Sequence, residues 1–154
     1  MDRTNIPDSI LNSIQGLPVE QQTIVRDSFS EVTPEMLSEL IILSEHEDSV
    51  DQAYITIGKN SGQGIFGIDA LKEGKRLFNN HKNQLQKKLC GYDPLRVYCE
   101  NAHVIDRITL AGIILGALIT ITSIELDVIA TAHLVSRISI RDFCKSEWSN
   151  QLNA

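Results

Sequence analysis

The sequence predicts an all-α fold, a compact single-domain bundle of five to seven helices around a central apolar helix pair. Three observations carry this. Apolar residues recur at three- and four-residue spacing through most of the 154 residues, the period that gathers them on one helix face. The four prolines, Pro7, Pro18, Pro34 and Pro94, each stand at or just before such a segment, where a missing backbone N–H costs nothing. Between Arg107 and Glu125 there is no charged residue, so one stretch is apolar enough to form the middle of a core.

In chain order, a short helix over 8–15 turns Ile10, Leu11 and Ile14 inward and closes at Gly16, where a left-handed residue is expected. A second helix covers 18–31, with Val25, Phe29 and Val32 inward. The third spans 34–45, with Thr33 as its N-cap and a broad apolar face of Met36, Leu37, Leu40, Ile41 and Leu43. A polar turn, Glu45 to Asp48, leads to a capping box of Ser49 and Gln52. Val50, Ala53, Tyr54 and Ile57 continue at helical spacing, although AYITIG is also β-branched and aromatic enough for a short strand. Residues 58–67, GKNSGQGIFG, form a glycine-rich loop.

A long helix over 68–90 follows, with Ile68, Leu71, Phe78, Leu85 and Leu89 on its inner seam. Lys87 and Lys88 lie in its last turn, where cations suit the exposed carbonyls, and Gly91 ends it. Asp93 is a suitable cap before Pro94, and the chain then reads as one helix from 94 to 121. Thr122 and Glu125 form a second capping box, which starts a final helix over 123–145. The β-branched ITITSI at 119–124 could also be extended. The last residues, SNQLNA, fray. The segments 94–121 and 123–145 would make the central antiparallel pair, with the amphipathic N-terminal helices packed over it.

Charge and cysteines narrow the function classes. The formal net charge of −6 disfavours general nucleic-acid binding, which rests on neutralising phosphates. The charge is segregated: residues 1–66 carry eleven acids and three bases, and residues 67–154 carry nine acids and eleven bases. The acidic front half thus complements an apolar and basic back half, within the molecule or across an interface. Three cysteines, Cys90, Cys99 and Cys144, with no CxxC spacing, argue against a disulfide framework and for a reducing, cytoplasmic setting. The opening MDRTNIPDSI lacks the apolar stretch of a signal peptide.

Four groups of residues invite a chemical reading. Gly62, Gly64 and Gly67 make a literal GxGxxG, whose glycines would admit a pyrophosphate at a helix N-terminus. Yet GKNS separates them from the possible strand before them. The acid that could hold a ribose, Glu100 in LRVYCE, lies 33 residues beyond Gly67, against about 20 in that fingerprint. Cys99 and His103 stand one helical turn apart with Asp106 on the same side, which could share a metal, but His81 and Cys90 lack the spacing to complete the ligand set. His133, Arg137, Arg141 and Lys145 form an i, i+4 column able to grip an anionic partner, with a looser basic set, including Lys72, Lys75 and Arg76, on the long helix. Finally, the seventeen-residue run 108–124 approaches membrane-spanning length, with Gly112 and Gly116 at GxxxG spacing. Thr109, Thr120, Thr122 and Ser123 dilute it, and a central buried helix explains the same pattern.

No GxSxG and no GxxxxGK[ST] occurs, and no cofactor is called for. The sequence therefore points to a non-enzymatic interaction module, a regulator, adaptor or inhibitor. Its expected partner is a protein, and homo-oligomers through the apolar helices are a further expectation. The alternatives are a membrane-active or membrane-anchored effector using 108–124, and a nucleotide-binding enzyme using 62–67.

Overall fold

The computed structural model describes residues 6–60, 68–120, 125–138 and 140–152. Among these residues ten helices form and no strand, so the protein is all-α. They are α1 (Asp8–Gln15), α2 (Val19–Asp27), α3 (Pro34–Glu45), α4 (Ser49–Lys59), α5 (Ile68–Cys90), α6 (Asp93–Asn101), α7 (Arg107–Thr120), α8 (Val128–Arg137), α9 (Ile140–Phe143) and α10 (Lys145–Leu152).

The first half follows local chemistry closely. Thr33 Oγ1 accepts the Met36 N–H at 3.1 Å and starts α3, and Val25, Phe29 and Val32 all turn into the core. AYITIG is helical, within α4. The capping box expected there does not form, since the N-cap side chain makes no bond to a backbone N–H of the first turn. Asp48 occupies the N-cap, Gln52 Nε2 donates to its carboxylate at 3.1 Å, and Ser49 is buried as the first helical residue. Gly16 is right-handed, with φ −73° and ψ −8°, so no left-handed cap is required of it. On α5, Phe78, Leu85 and Leu89 are buried as expected; the side chain of Ile68 lies outside the described residues.

The ten helices exceed the expected five to seven because both long C-terminal helices are broken and because a further helix, α10, covers Lys145–Leu152, where the chain end was expected to fray. The expected helix 94–121 divides at Ala102, whose ψ of 129° is extended. A buried tyrosine fixes the break: Tyr98 Oη accepts the Asp106 N–H at 2.9 Å and pairs with Ser13 Oγ at 2.5 Å. Asp106 then caps α7, accepting the Thr109 N–H at 3.0 Å and the Thr109 hydroxyl at 2.6 Å. The expected helix 123–145 starts later, where Asp127 Oδ1 accepts the Ala130 N–H at 2.8 Å. It breaks at Ile138, which is extended at ψ 149°. Thr122, and with it the expected second capping box, lies outside the described residues.

The central pair survives as α7 and α8, packed against each other. Every residue of α7 from Thr109 to Leu118 is buried, and α1, α3, α5 and α6 also pack on it. Full burial of Ile113, Ile114 and Leu115 stabilises the fold by about 1.5–3 kcal/mol each. The GxxxG glycines permit a close approach between protein segments: a methyl on Gly116 would overlap the Ser28 carbonyl oxygen, and one on Gly112 would meet the Phe29 ring. The crossing of α4 over α5 uses the same device, with Gly58 against the Ala70 backbone and Gly74 against that of Tyr54. Among the described residues no helix is long and apolar enough to cross a membrane.

One expectation from the cysteines is corrected. Cys90, at the end of α5, and Cys144, between α9 and α10, form a disulfide with a Cα–Cα distance of 5.4 Å. Trp148 Nε1 donates to the Cys90 carbonyl at 2.9 Å, and Gln86 Nε2 donates to that of Phe143. An odd cysteine count only requires that one thiol be left over, and Cys99 is that thiol, buried. The count therefore carries no argument for a reducing compartment.

Candidate functional site, an arginine-walled double cleft

The two helix breaks that the sequence conceals create a concave surface. The turn between α6 and α7 places Arg107 at the first position of α7. The break at Ile138 turns α9 so that Arg141 faces back toward α6, where its Nη2 donates to the Cys99 carbonyl at 3.1 Å. Between them lies a cleft of about 230 Å³, walled by Arg107 and Arg141 and floored by Leu110, Ile138 and Ile140. A second cleft, of about 220 Å³, adjoins it and is lined by Ser44, Arg107, Ile108, His133, Ser136 and Arg137. Arg107 and Ser136 are walls of both.

The charges here are uncompensated. Arg107, Arg137 and Arg141 are exposed, and among the described residues none of the three forms a salt bridge. Arg137 suits its place, since it complements the carbonyl end of α8. Arg107 does not: it stands at a helix N-terminus, where the backbone dipole disfavours a cation by a few tenths of a kcal/mol or more. The neighbouring Asp106 carboxylate holds Thr109 through Oδ2 and forms no salt bridge among the described residues. A cation held against the dipole, between two others, suits a surface that awaits a negative group.

His133 adds a second irregularity. It is 2% exposed, lines the second cleft, and its Nε2 has no hydrogen-bond partner. Burial, helped by Arg137 and Arg107, pushes its pKa down to about 4. The imidazole is therefore neutral at pH 7 and offers one donor and one acceptor. The two serines differ in kind. Ser44 Oγ donates to the Ile41 carbonyl and Ser136 Oγ to that of His133, both at 2.7 Å. Their hydroxyl protons are in use, which leaves lone pairs for an incoming N–H.

The His133 shift has a consequence for stability. The unfolded chain binds a proton on this imidazole near pH 6.5, and the folded chain does so only near 4. Stability from this group is thus complete above about pH 6.5 and lost as pH falls toward 4. At pH 5 the loss relative to neutral pH is about 2 kcal/mol. Urea unfolding at pH 7.5 and 5.0 checks this: His133→Gln should lose that much less than wild type on acidification. Equal losses in the two proteins would contradict it.

The residues singled out from sequence are distributed unevenly. The His133, Arg137, Arg141, Lys145 column is not a straight helical stripe, because Ile138 interrupts it. His133 is core, Arg137 and Arg141 stand at different clefts, and Lys145 begins α10 away from both. Lys72, Lys75 and Arg76 are exposed on α5. Arg76 is paired with Glu73, and Lys75 Nζ sits 5.8 Å from the Tyr54 ring centroid. Cys99 and His103 do not share a helix face: α6 ends at Asn101, and His103 is exposed in the following turn. Burial pushes the Cys99 thiol up to about 12, far from a nucleophilic thiolate at neutral pH. Among the described residues no group of three metal-binding side chains assembles.

Gly62, Gly64 and Gly67 lie outside the described residues. Their flanks are α4 and α5, however, and Glu100 is on α6, so neither strand of a dinucleotide site is present among the described residues. Arg107 is the residue that sequence reading missed. Its signal was the Asp106–Thr109 pair, which marks it as the start of a helix. No known protein family, curated protein or solved structure matches this chain.

Proposed function

We propose that this protein is a non-enzymatic interaction module, a regulator, adaptor or inhibitor, that binds an acidic feature of a partner protein through the double cleft. The observation that carries this is the triad of exposed guanidiniums, Arg107, Arg137 and Arg141, around two adjoining clefts with no carboxylate paired to any of them among the described residues. Arginine suits such a role because its planar fork meets a carboxylate with two donors and is weakly hydrated. Apolar residues at the rim add contact area: Val104 is 80% exposed and Ile105 37%. Self-association is a second use of the same surface, since the acidic α3–α4 region, with Glu35, Glu39, Glu47 and Asp51, offers a complementary charge. The Cys90–Cys144 bridge favours work in an oxidising compartment over the cytoplasm that the cysteine count suggested.

Charge reversal tests the proposal. The triple variant Arg107→Glu, Arg137→Glu, Arg141→Glu changes only exposed side chains and should keep its circular dichroism spectrum and melting behaviour. In parallel pull-downs from extract of the source cells, proteins held by wild type and eluted by moderate salt should be absent from the variant. An identical set of bound proteins in both would overturn the proposal.

A further inference from the structure

We infer that the occupant of the double cleft is a short segment of a partner protein, bent so that it presents one carboxylate and two flanking aliphatic side chains on a single face. This rests on the proposed function above and adds the chemistry of what is recognised. Four observations point to it. First, each cleft, at about 230 and 220 Å³, falls below the roughly 300–1,000 Å³ of pockets that enclose whole cofactors or drug-sized ligands, and suits a single side chain. Second, Leu110, Ile138 and Ile140 in one cleft and Ile108 and Ala111 in the other make apolar floors, so the groups entering them are apolar.

Third, Arg107 is the charged residue common to both clefts, with Arg141 in one and Arg137 in the other. An anionic group bound there lies between the two apolar sites. Fourth, the polar atoms other than the guanidiniums ask for peptide. Ser44 and Ser136 have spent their protons on carbonyls and can only accept. His133 is 2% exposed and its unpartnered Nε2 is closed to solvent, so the serines are the acceptors offered to an occupant. A phosphate or a lipid headgroup brings acceptors that suit the arginines but no N–H for the serines. A backbone segment brings both.

The order of groups on the ligand is therefore apolar, acidic, apolar. The carboxylate supplies charge-assisted hydrogen bonds, and the flanking side chains displace water from Leu110, Ile138, Ile140 and Ile108. Successive side chains of extended chain point to opposite faces, so the segment bends to bring all three groups to the clefts.

The test uses the intact, disulfide-bonded protein and four defined probes in amide chemical-shift titrations. These are acetyl-Leu-Glu-Leu-amide, acetyl-Leu-Gln-Leu-amide, acetyl-Gly-Glu-Gly-amide and inorganic phosphate. The first should shift amides of residues 107–111 and 133–138 saturably. The glutamine and the glycine peptides should each bind at least about tenfold more weakly, and Arg107→Gln should weaken the first peptide by a similar factor, the scale of one charged hydrogen bond. Equal binding of the glycine peptide, or phosphate saturating the same amides as tightly as the first peptide, would overturn the segment reading while leaving an anion-binding face. No saturable shift with the first peptide would also overturn it. The pull-down contrast decides the underlying reading separately, since it requires no particular peptide.

Discussion

Gly116→Ala should destabilise the protein by about 3 kcal/mol, the upper end of ordinary overpacking, with a fall in Tm of roughly 6–12 °C for a chain of this size. On helix propensity alone the substitution would gain about 1 kcal/mol, so the sign of the result is decisive. The methyl has nowhere to go: it would overlap the Ser28 carbonyl oxygen in the turn after α2, with Val32 alongside. Backbone cannot rotate away as a side chain can, and the turn is held by the buried Ser28 hydroxyl, which donates to the Val25 carbonyl at 2.5 Å. Gly16→Ala is the matched control. Its φ and ψ are right-handed and its added methyl would meet only the Ser13 carbonyl at an ordinary 3.5 Å, so it should be neutral or stabilising by a few tenths of a kcal/mol. Thermal unfolding of the two variants beside wild type reads both outcomes. A Gly116→Ala protein as stable as wild type would contradict the packing of α7 against the turn that follows α2.

The second large effect is expected on loss of the Cys90–Cys144 bridge. The two cysteines are separated by 54 positions, and closing a loop of that length in the unfolded chain is worth about 4 kcal/mol in the chain-entropy account. The double variant Cys90→Ala, Cys144→Ala should therefore melt well below the oxidised protein. Its first loss should be local. Trp148 is buried and bonded to the Cys90 carbonyl, so its fluorescence should shift to longer wavelength, at or below the temperature of the global transition, as α10 leaves α5. Reductant should reproduce the low melting point in wild type and leave the double variant unmoved. A variant that melts with wild type would show the bridge to be incidental.

These two sites differ in how far they could be read in advance. Gly112 and Gly116 were legible as a close-approach pair, because glycine inside an apolar helix has a cost that packing must offset. What approaches, the turn at Ser28 and Phe29, is tertiary. The disulfide was not legible at all, since its partners share no local motif. Helix starts at Thr33–Pro34 and the stop at Gly91 were readable from cap chemistry within a few residues. The breaks at Ala102 and Ile138 were not. AHVI and the residues around Ile138 contain no glycine or proline, and the first break depends on Tyr98 reaching both Ser13 and Asp106.

The candidate site inherits that difficulty. Arg137 and Arg141 stood out by spacing, but for a straight column that does not exist. Arg107, which joins the two clefts, became conspicuous only once α7 was seen to begin there, with a cation on the wrong end of its dipole. His133 looked like part of a polar stripe, yet it belongs to the buried face of α8 with Ala132 and Val135.

The account as a whole depends on α7 being enclosed by protein, and native-state hydrogen exchange of its amides tests that most directly. In buffer without lipid or detergent, the amides of Ile113 to Leu118 should be among the slowest in the chain. They should exchange only through global unfolding, and anionic phospholipid vesicles should leave their rates unchanged. Exchange of those amides within minutes in buffer, with protection appearing once vesicles are added, would contradict it.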